Sequence, residues 1–323
     1  HMAFFARKIS EIDDSLSNLR ESCLYDEGLT RRITAALIGD SLSHSDAIEE
    51  NSSSQVTLKR LEEAWNFAVV NINEDLSHSS ICDIAAKVEP INHSYRTDNV
   101  LIPGFDRVVR SGVRPIKIRR EMNNLIYHIK DESNQDAPSL KAAEISLYGL
   151  FIHPFQDGNG RTFRLLHNLL LYKNGIPPVV IRKSEKRPYK MLIAAAQDGF
   201  NERVGQADMF SANRSFGEMN YFGFMLDKVQ ESIEELSGRY TKFRMYDVEC
   251  YFKGNGKQLH GVREMLRRGC TAGGWVFKSS LDLPKRTVRV VTDAPFGIVN
   301  SNMLNYTKDR SWFKGYELIK RRK

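Results

Sequence analysis

The stretch HPFQDGNGRTFR, His153 to Arg164, lies between two apolar runs, ISLYGLFI before it and LLHNLLLY after it. Both runs have the spacing of buried helices, so this stretch is their connection. A helix connection is usually polar, but it does not need a histidine, an acid, two glycines and two arginines together. Packing alone does not explain such a set, which is typical of a loop that holds a ligand.

The middle of this loop has the composition of an anion site. Gly158 and Gly160 flank Asn159 where the chain enters the second helix, and glycines there let backbone N–H groups approach a ligand. That helix, predicted from about Arg161, points its N-terminus at the same place and favours anions. Arg161 and Arg164 are three residues apart and share a helix face, and their guanidinium groups suit phosphate oxygens.

Two further side chains add chemistry to the anion site. Asp157 places a carboxylate in a phosphate-binding loop. This makes sense mainly if a Mg²⁺ ion lies between the carboxylate and the bound phosphate. His153 is the one side chain of the loop that takes up a proton near neutral pH. Together the residues indicate phosphoryl-type or nucleotidyl transfer to a hydroxyl group.

The loop resembles the signature of the Fic family, HPFx(D/E)GN(G/K)R, at every specified position. The resemblance covers about residues 30–200. It implies a helical core with a small β-hairpin flap, and transfer of AMP from ATP to a Ser, Thr or Tyr hydroxyl of a target protein. The same resemblance leaves open removal of AMP, or another phosphoryl-type transfer, by the same site.

The resemblance also implies a role for each loop residue. His153 is expected to be the general base and Asp157 the Mg²⁺ ligand. The α-phosphate is expected at Gly158, Asn159 and Gly160, the β-phosphate at Arg161 and the γ-phosphate of ATP at Arg164.

The segment YRTDNVLIPG, residues 95–104, has the β-branched and turn-forming residues of a short strand or hairpin inside a helical domain. It resembles the flap of the family, which positions a target by main-chain pairing. An ordinary surface hairpin is the alternative. The expected docking edge comprises Arg96, Thr97, Val100, Leu101 and Ile102.

The segment SDAIEEN, Ser45 to Asn51, resembles the inhibitory helix motif of the family, (S/T)xxxE(G/N). Ser45 and Glu49 match, whereas Glu50 stands where Gly or Asn is expected. A bidentate pair between Glu49 and Arg164 would occupy the γ-phosphate site and block ATP. The alternative is an amphipathic helix with solvated acids.

The composition, 41% hydrophobic and 27% charged residues, is that of an ordinary globular protein. No apolar run approaches the ~18 residues of a membrane span. The cysteine pattern leads us to expect a cytoplasmic protein, with delivery into a host cell left open. The cysteines, Cys23, Cys82, Cys250 and Cys270, show no CxxC spacing, so reduced thiols are expected.

The C-terminal part of the chain differs from the rest in charge and pattern. Residues 239–323 contain 19 Lys and Arg against 7 Asp and Glu, a net +12, which leaves −5 for the rest of a chain whose total is +7. Alternating strand-like runs with one helix predict a small α+β unit there. Its charge favours an acidic partner or nucleic acid, or only a solvated basic face.

These observations predict a mainly α protein in three parts. Residues 3–94 are expected to form N-terminal helices that include the inhibitory helix at 45–51. Residues 95–235 are expected to form the Fic-type catalytic core with its flap, and residues 239–323 the basic α+β unit. The competing hypothesis is a nucleic-acid-binding or partner-binding protein that the core regulates. Oligomeric state is not predicted.

Overall fold

The computed structural model describes residues 2–21, 27–49, 55–71, 76–103, 108–131, 136–204, 214–242, 244–252, 257–275 and 277–320. Within these ranges there are eleven α-helices and six strands, so the predicted mainly helical fold is confirmed. The chain forms two compact units that divide between Leu236 and Ser237, each with its own hydrophobic core. No helix in the described ranges is both long and apolar enough to cross a membrane.

Nine α-helices begin in the first unit. They are α1 (Met2–Glu21), α2 (Glu27–Glu49), α3 (Gln55–Asn71), α4 (His78–Val88), α5 (Pro115–Lys130), α6 (Pro138–Ile152), α7 (Asn159–Lys173), α8 (Lys186–Val204) and α9 (Phe216–Lys242). A short 3₁₀ helix, Lys183–Glu185, precedes α8.

Helix α6 lies at the centre of this unit, because most of its residues on every side are buried. It begins with Pro138 at its first position, where the missing N–H costs nothing. Helix α7 packs against it and ends before Gly175, whose positive φ of 70° stops the helix. Their antiparallel connection is the loop that carries His153.

The N-terminal helices, which we separated from the catalytic core at residue 94, share its hydrophobic interior. Ile48 of α2, Leu61 of α3 and Ile84 of α4 are fully buried in the same cluster as Phe155 and Phe163. All of these helices therefore belong to one unit. Helix α2 is described up to Glu49, so Glu50 and Asn51 of the inhibitory segment lie outside the described residues.

The segment that we expected to be the flap is a hairpin, but its strands lie later than predicted. Strand β1 (Leu101–Pro103) pairs antiparallel with β2 (Val109–Ser111), with Ile102 opposite Arg110. Residues 95–100 are not strand, because the chain there runs along the loop that carries His153: the Arg96 N–H donates to the Pro154 carbonyl at 2.9 Å. The prediction therefore began the strand too early and missed β2.

The second unit has the predicted α+β composition. Its elements are β3 (Arg244–Phe252), α10 (Lys257–Ala272), β4 (Phe277–Asp282), β5 (Thr287–Thr292), α11 (Phe296–Thr307) and β6 (Phe313–Lys320). The sheet is antiparallel in the order β4-β5-β3-β6, and this βαββαβ topology is that of a ferredoxin-like fold. The sequence analysis did not predict α11 or β6. Cys82, Cys250 and Cys270 are free thiols, while Cys23 lies outside the described residues.

Candidate active site

The loop between α6 and α7 turns on two residues with positive φ. His153, directly after α6, has φ 50°, and Gly158, directly before α7, has φ 71°. Gly158 adopts this conformation easily, whereas it is strained for a histidine. A non-glycine residue held in this way, at the end of a buried helix, is typical of a functional position.

The Asn159 side chain makes two hydrogen bonds across the loop to the backbone of Phe155. Its side-chain amide donates to the Phe155 carbonyl at 2.9 Å, and its side-chain oxygen accepts from the Phe155 N–H at 3.0 Å. Phe155 is fully buried. The Asn159 side chain therefore shapes the loop, and the loop offers a phosphate the backbone amides of the first turn of α7, which lack intrahelical acceptors.

The His153 ring is oriented for accepting a proton. Its Nδ1 is 3.3 Å from the Leu150 carbonyl, so the proton of the neutral ring is assigned to Nδ1 and Nε2 is left as the acceptor. Burial lowers the pKa of His153 to about 4, although the Leu150 hydrogen bond acts in the opposite direction. The ring is therefore neutral at physiological pH, as a general base must be.

Arg96 holds the His153 backbone, a role that the sequence did not reveal. The Arg96 guanidinium is buried and donates to the carbonyls of His153 at 2.7 Å, Asp98 at 2.5 Å and Val113 at 2.5 Å. It is therefore not part of the exposed docking edge that we expected. Asn92 acts similarly on the same loop, since its amide donates to the Asp157 carbonyl at 2.7 Å.

The other expected flap residues lie nearer to solvent. Thr97 is exposed, Val100 and Ile102 are half-buried, and Leu101 is 72% exposed. The hairpin is tied to α8 through Arg110 of β2, whose Nε and Nη2 donate to the two carboxylate oxygens of Asp198 at 2.9 and 2.7 Å.

Asp157 has the chemistry and exposure of a Mg²⁺ ligand. Its side chain is 69% exposed, and the Gly158 N–H donates to its Oδ1 at 2.6 Å. A carboxylate held at a helix N-terminus beside phosphate-binding amides suits Mg²⁺, which prefers one or two carboxylates plus phosphate and water oxygens. The residues therefore fit the expected metal.

Arg161 is buried among carboxylates. Its guanidinium lies 3.4 Å from Glu89, 3.7 Å from Asp157 and 3.9 Å from Asp46. Asp46 stands in the last turns of α2, so this helix reaches Arg161 as well as Arg164. Neither Asp46 nor Glu89 was among the predicted site residues.

The last turn of α2 covers Arg164. The Arg164 Nη2 lies 2.7 Å from Glu49 Oε1, its Nε donates to Ser45 Oγ at 2.9 Å, and its Nη2 donates to the Ser45 carbonyl at 2.9 Å. The other carboxylate oxygen of Glu49, Oε2, accepts from Lys190 Nζ of α8 at 3.3 Å, so one carboxylate joins two cations. Lys190 had no signal in the sequence.

Glu49 stays charged in this setting. Burial alone would raise the pKa of Glu49, but the charges and hydrogen bonds of Arg164 and Lys190 outweigh burial and lower the pKa to about 2. The carboxylate also lies over the start of α7: a Cβ placed on Gly160 would meet Glu49 Oε1 at 2.0 Å. An anionic group therefore already lies at the anion-binding end of α7.

Fold and site together define a helical protein whose anion-binding loop joins two buried helices and carries a neutral histidine. The model of the Fic/DOC family matches residues 75–171, which include this loop. This part of the chain therefore matches the Fic domain of that family.

Curated proteins that carry the Fic name are similar to part of the chain. The chain is similar to protein adenylyltransferase fic-1 of Caenorhabditis elegans, with 32% identity over 129 residues, 38% of this chain and 24% of the relative. It is also similar to protein adenylyltransferase Fic of Aedes aegypti, with 33% identity over 144 residues, 42% of this chain and 27% of the relative. The match therefore spans about a quarter of the length of these relatives.

Solved structures share the fold. A Fic domain containing signaling protein from Bacteroides thetaiotaomicron has a TM-score of 0.62 at 16% identity, covering 72% of this chain and 97% of that one. Fic-1 of C. elegans, residues 134–508, has a TM-score of 0.59 at 19% identity, covering 74% of each chain. The predicted Fic-type fold is thus confirmed.

Proposed function

We propose that the chain is a protein adenylyltransferase that transfers AMP from ATP to a Ser, Thr or Tyr hydroxyl of a target protein, and that Glu49 holds it inactive. One observation carries the proposal. A neutral histidine whose Nε2 is left as the proton acceptor lies close in the chain to the N-terminal amides of α7, the exposed Asp157 carboxylate and two arginines of α7. The names of the curated relatives support the same activity.

The proposed transfer forms one bond to the α-phosphorus of ATP, breaks another and moves one proton. The target hydroxyl oxygen attacks the α-phosphorus of ATP, and the bond from this phosphorus to the oxygen that bridges to the β-phosphate breaks. Pyrophosphate leaves, and the hydroxyl proton passes to Nε2 of His153. Asp157 would hold Mg²⁺, which neutralises charge on the phosphate oxygens when it is bound.

The two arginines and the amides of α7 supply positive charge for the phosphates. Arg161 and Arg164 are both buried and project from the first turn and a half of α7, where the helix dipole adds to their charge. In the inhibited form, the Glu49 carboxylate binds Arg164 in place of the γ-phosphate of ATP. Release of this carboxylate is then the activating step.

The hairpin is the proposed docking edge for the target. Strand β1 has β2 on one side in a sheet of two strands, so an extended target segment has a free edge to pair with in the described part of the hairpin. Leu101 and its neighbours Thr97, Val100 and Ile102 would supply side-chain contacts.

The test follows the phosphate groups of ATP. The Glu49→Gly protein is incubated with Mg²⁺ and ATP labelled in either the α- or the γ-phosphate, and protein-bound label is identified by mass spectrometry. AMP transfer gives a protein adduct that retains the α label, with pyrophosphate released. Retention of the γ label alone would instead show phosphoryl transfer, and loss of AMP from a pre-modified protein would show the reverse activity.

A further inference from the structure

Lys190 shares the Glu49 carboxylate with Arg164. Arg164 Nη2 binds one carboxylate oxygen at 2.7 Å, and Lys190 Nζ binds the other at 3.3 Å. The two cations come from different helices, α7 and α8, and both converge on one group from α2. The carboxylate is therefore bound on both oxygens, much as a phosphate group is bound by two cationic side chains.

Lys190 is partly buried beside Glu49. Its side chain is 28% exposed, whereas its helix neighbour Arg187 is exposed. The adjacent Tyr189 is fully buried, which fixes this turn of α8 against the core. Lys190 thus projects from a firmly packed turn toward the first turn of α7.

Removal of Glu49 changes the electrostatics of this place sharply. Arg164 and Lys190 would then face the same volume with no carboxylate between them, at the positive end of a helix. Such a group of like charges, partly shielded from water, is unfavourable until an anion enters. The volume is the one that the Glu49 carboxylate vacates beside Gly160.

We infer that Lys190 is a second cationic ligand for the terminal phosphates of ATP, beside Arg164, and that Glu49 covers both cations in the inhibited form. The inference rests on the proposed function, because it takes Glu49 to stand in for a phosphate. Because Lys190 contacts the terminal phosphates, its loss should weaken the binding of ATP more than the binding of AMP. Loss of a contact with the adenosine part would weaken both equally.

The experiment measures nucleotide binding without transfer. Isothermal titration calorimetry with ATP, ADP and AMP compares the Glu49→Gly/His153→Ala protein with the same protein carrying Lys190→Met. We expect ATP affinity to fall about tenfold, the size of one charge-assisted contact, and AMP affinity to change less than about twofold. Lys190→Arg should keep ATP affinity close to that of lysine, and Arg187→Met is the matched control on an exposed position of the same helix.

The outcomes separate this inference from the proposed function. Unchanged ATP affinity in the Lys190→Met protein, or equal losses for ATP and AMP, would overturn the inference even if the Glu49→Gly protein transfers AMP. Absence of AMP transfer in the Glu49→Gly protein would overturn the proposed function, but a selective loss of ATP binding would still support the phosphate contact. Melting temperatures of all variants show whether each remains folded.

Discussion

The guanidinium of Arg96 donates a 2.7 Å hydrogen bond to the carbonyl of His153, a residue 57 positions further along the chain. The same guanidinium donates to the carbonyl of Val113, which follows the hairpin. One buried side chain thus joins His153 to both ends of the hairpin region. The left-handed backbone at His153 persists because these contacts hold it.

Replacing Arg96 with methionine should loosen the catalytic loop. The change leaves buried carbonyls without their donor, at a cost of about 1–3 kcal/mol for each one left unsatisfied. We expect a lower urea midpoint and, in the Glu49→Gly background, a lower kcat for AMP transfer with a smaller change in ATP affinity. Arg119→Met, on the exposed face of α5, is the control. An unchanged kcat in a folded Arg96→Met protein would rule out the positioning role.

Replacing His153 with alanine should remove the general base and leave the phosphate site. A general base contributes typically ~10²–10⁴ in rate. In the Glu49→Gly background, AMP transfer should therefore fall by about that factor, while calorimetry should show ATP affinity nearly unchanged. Full transfer activity in this variant would show that another group takes the proton.

The rate of AMP transfer should depend weakly on pH in the neutral range. Burial disfavours the charged imidazolium and lowers the pKa of His153 to about 4, so the base form dominates above about pH 5. Glu49 acts to raise this pKa, so its removal in the active variant will not move the pKa upward. We expect a flat rate from pH 8 to about 5 and a decline toward pH 4. An acid limb centred near the ordinary histidine pKa, about 6.5, would contradict the buried neutral ring.

Replacing Glu49 with glycine should activate the protein strongly. The change frees Arg164 and Lys190, and close charge pairs of this kind have coupling energies of a few kcal/mol, where each ~1.4 kcal/mol is a factor of ten in occupancy. We expect at least about a tenfold gain in ATP affinity and a rise in self-modification, measured by calorimetry and by mass spectrometry.

Two controls isolate the contact with Arg164. Adding Arg164→Ala to Glu49→Gly should remove most of the gain, because the group that was covered is gone. Glu50→Gly should do much less, since the resemblance to the inhibitory motif assigns the contact with Arg164 to Glu49. Strong activation by Glu50→Gly without activation by Glu49→Gly would mean that the wrong acid was assigned.

Replacing Asp157 with alanine should weaken the dependence on Mg²⁺ together with the transfer. Asp157 is the exposed carboxylate of the loop and would be the protein ligand of the ion. We expect the Mg²⁺ concentration for half-maximal activity to rise, with little loss of stability because the side chain is exposed. Activity of the Glu49→Gly parent that survives excess EDTA would exclude a metal from the reaction.

Much of the helical unit could be predicted because its signals are local. The apolar run of α6, Gly175 after α7 and the loop motif each carry their meaning within a few residues. The hairpin was misplaced because short strands have weak signals and because Arg96 ties residues 95–100 to a loop distant in sequence. Helix α11 was missed since its glycine, serine and asparagines weaken the helical pattern.

The sequence pattern could not predict most contacts between distant segments. The Glu49–Arg164 contact was expected from a motif resemblance, whereas Lys190, Asp46 and Glu89 reach the site only through the tertiary structure. A lone lysine or acid on an amphipathic helix looks the same whether it faces solvent or an arginine. Only the tertiary structure distinguishes the two cases.

Because Gly160 has no side chain, it limits which mutations can release the protein from inhibition by Glu49. Both the inhibitory carboxylate and, in the proposed reaction, a phosphate need the space above this glycine, since a Cβ there would meet Glu49 Oε1 at 2.0 Å. A larger residue at this position would displace the Glu49 carboxylate, and it would also fill the space proposed for the phosphate. Substitutions at Gly160 will therefore be inactive instead of unregulated, whereas loss of the Glu49 carboxylate from α2 releases activity and leaves this space open.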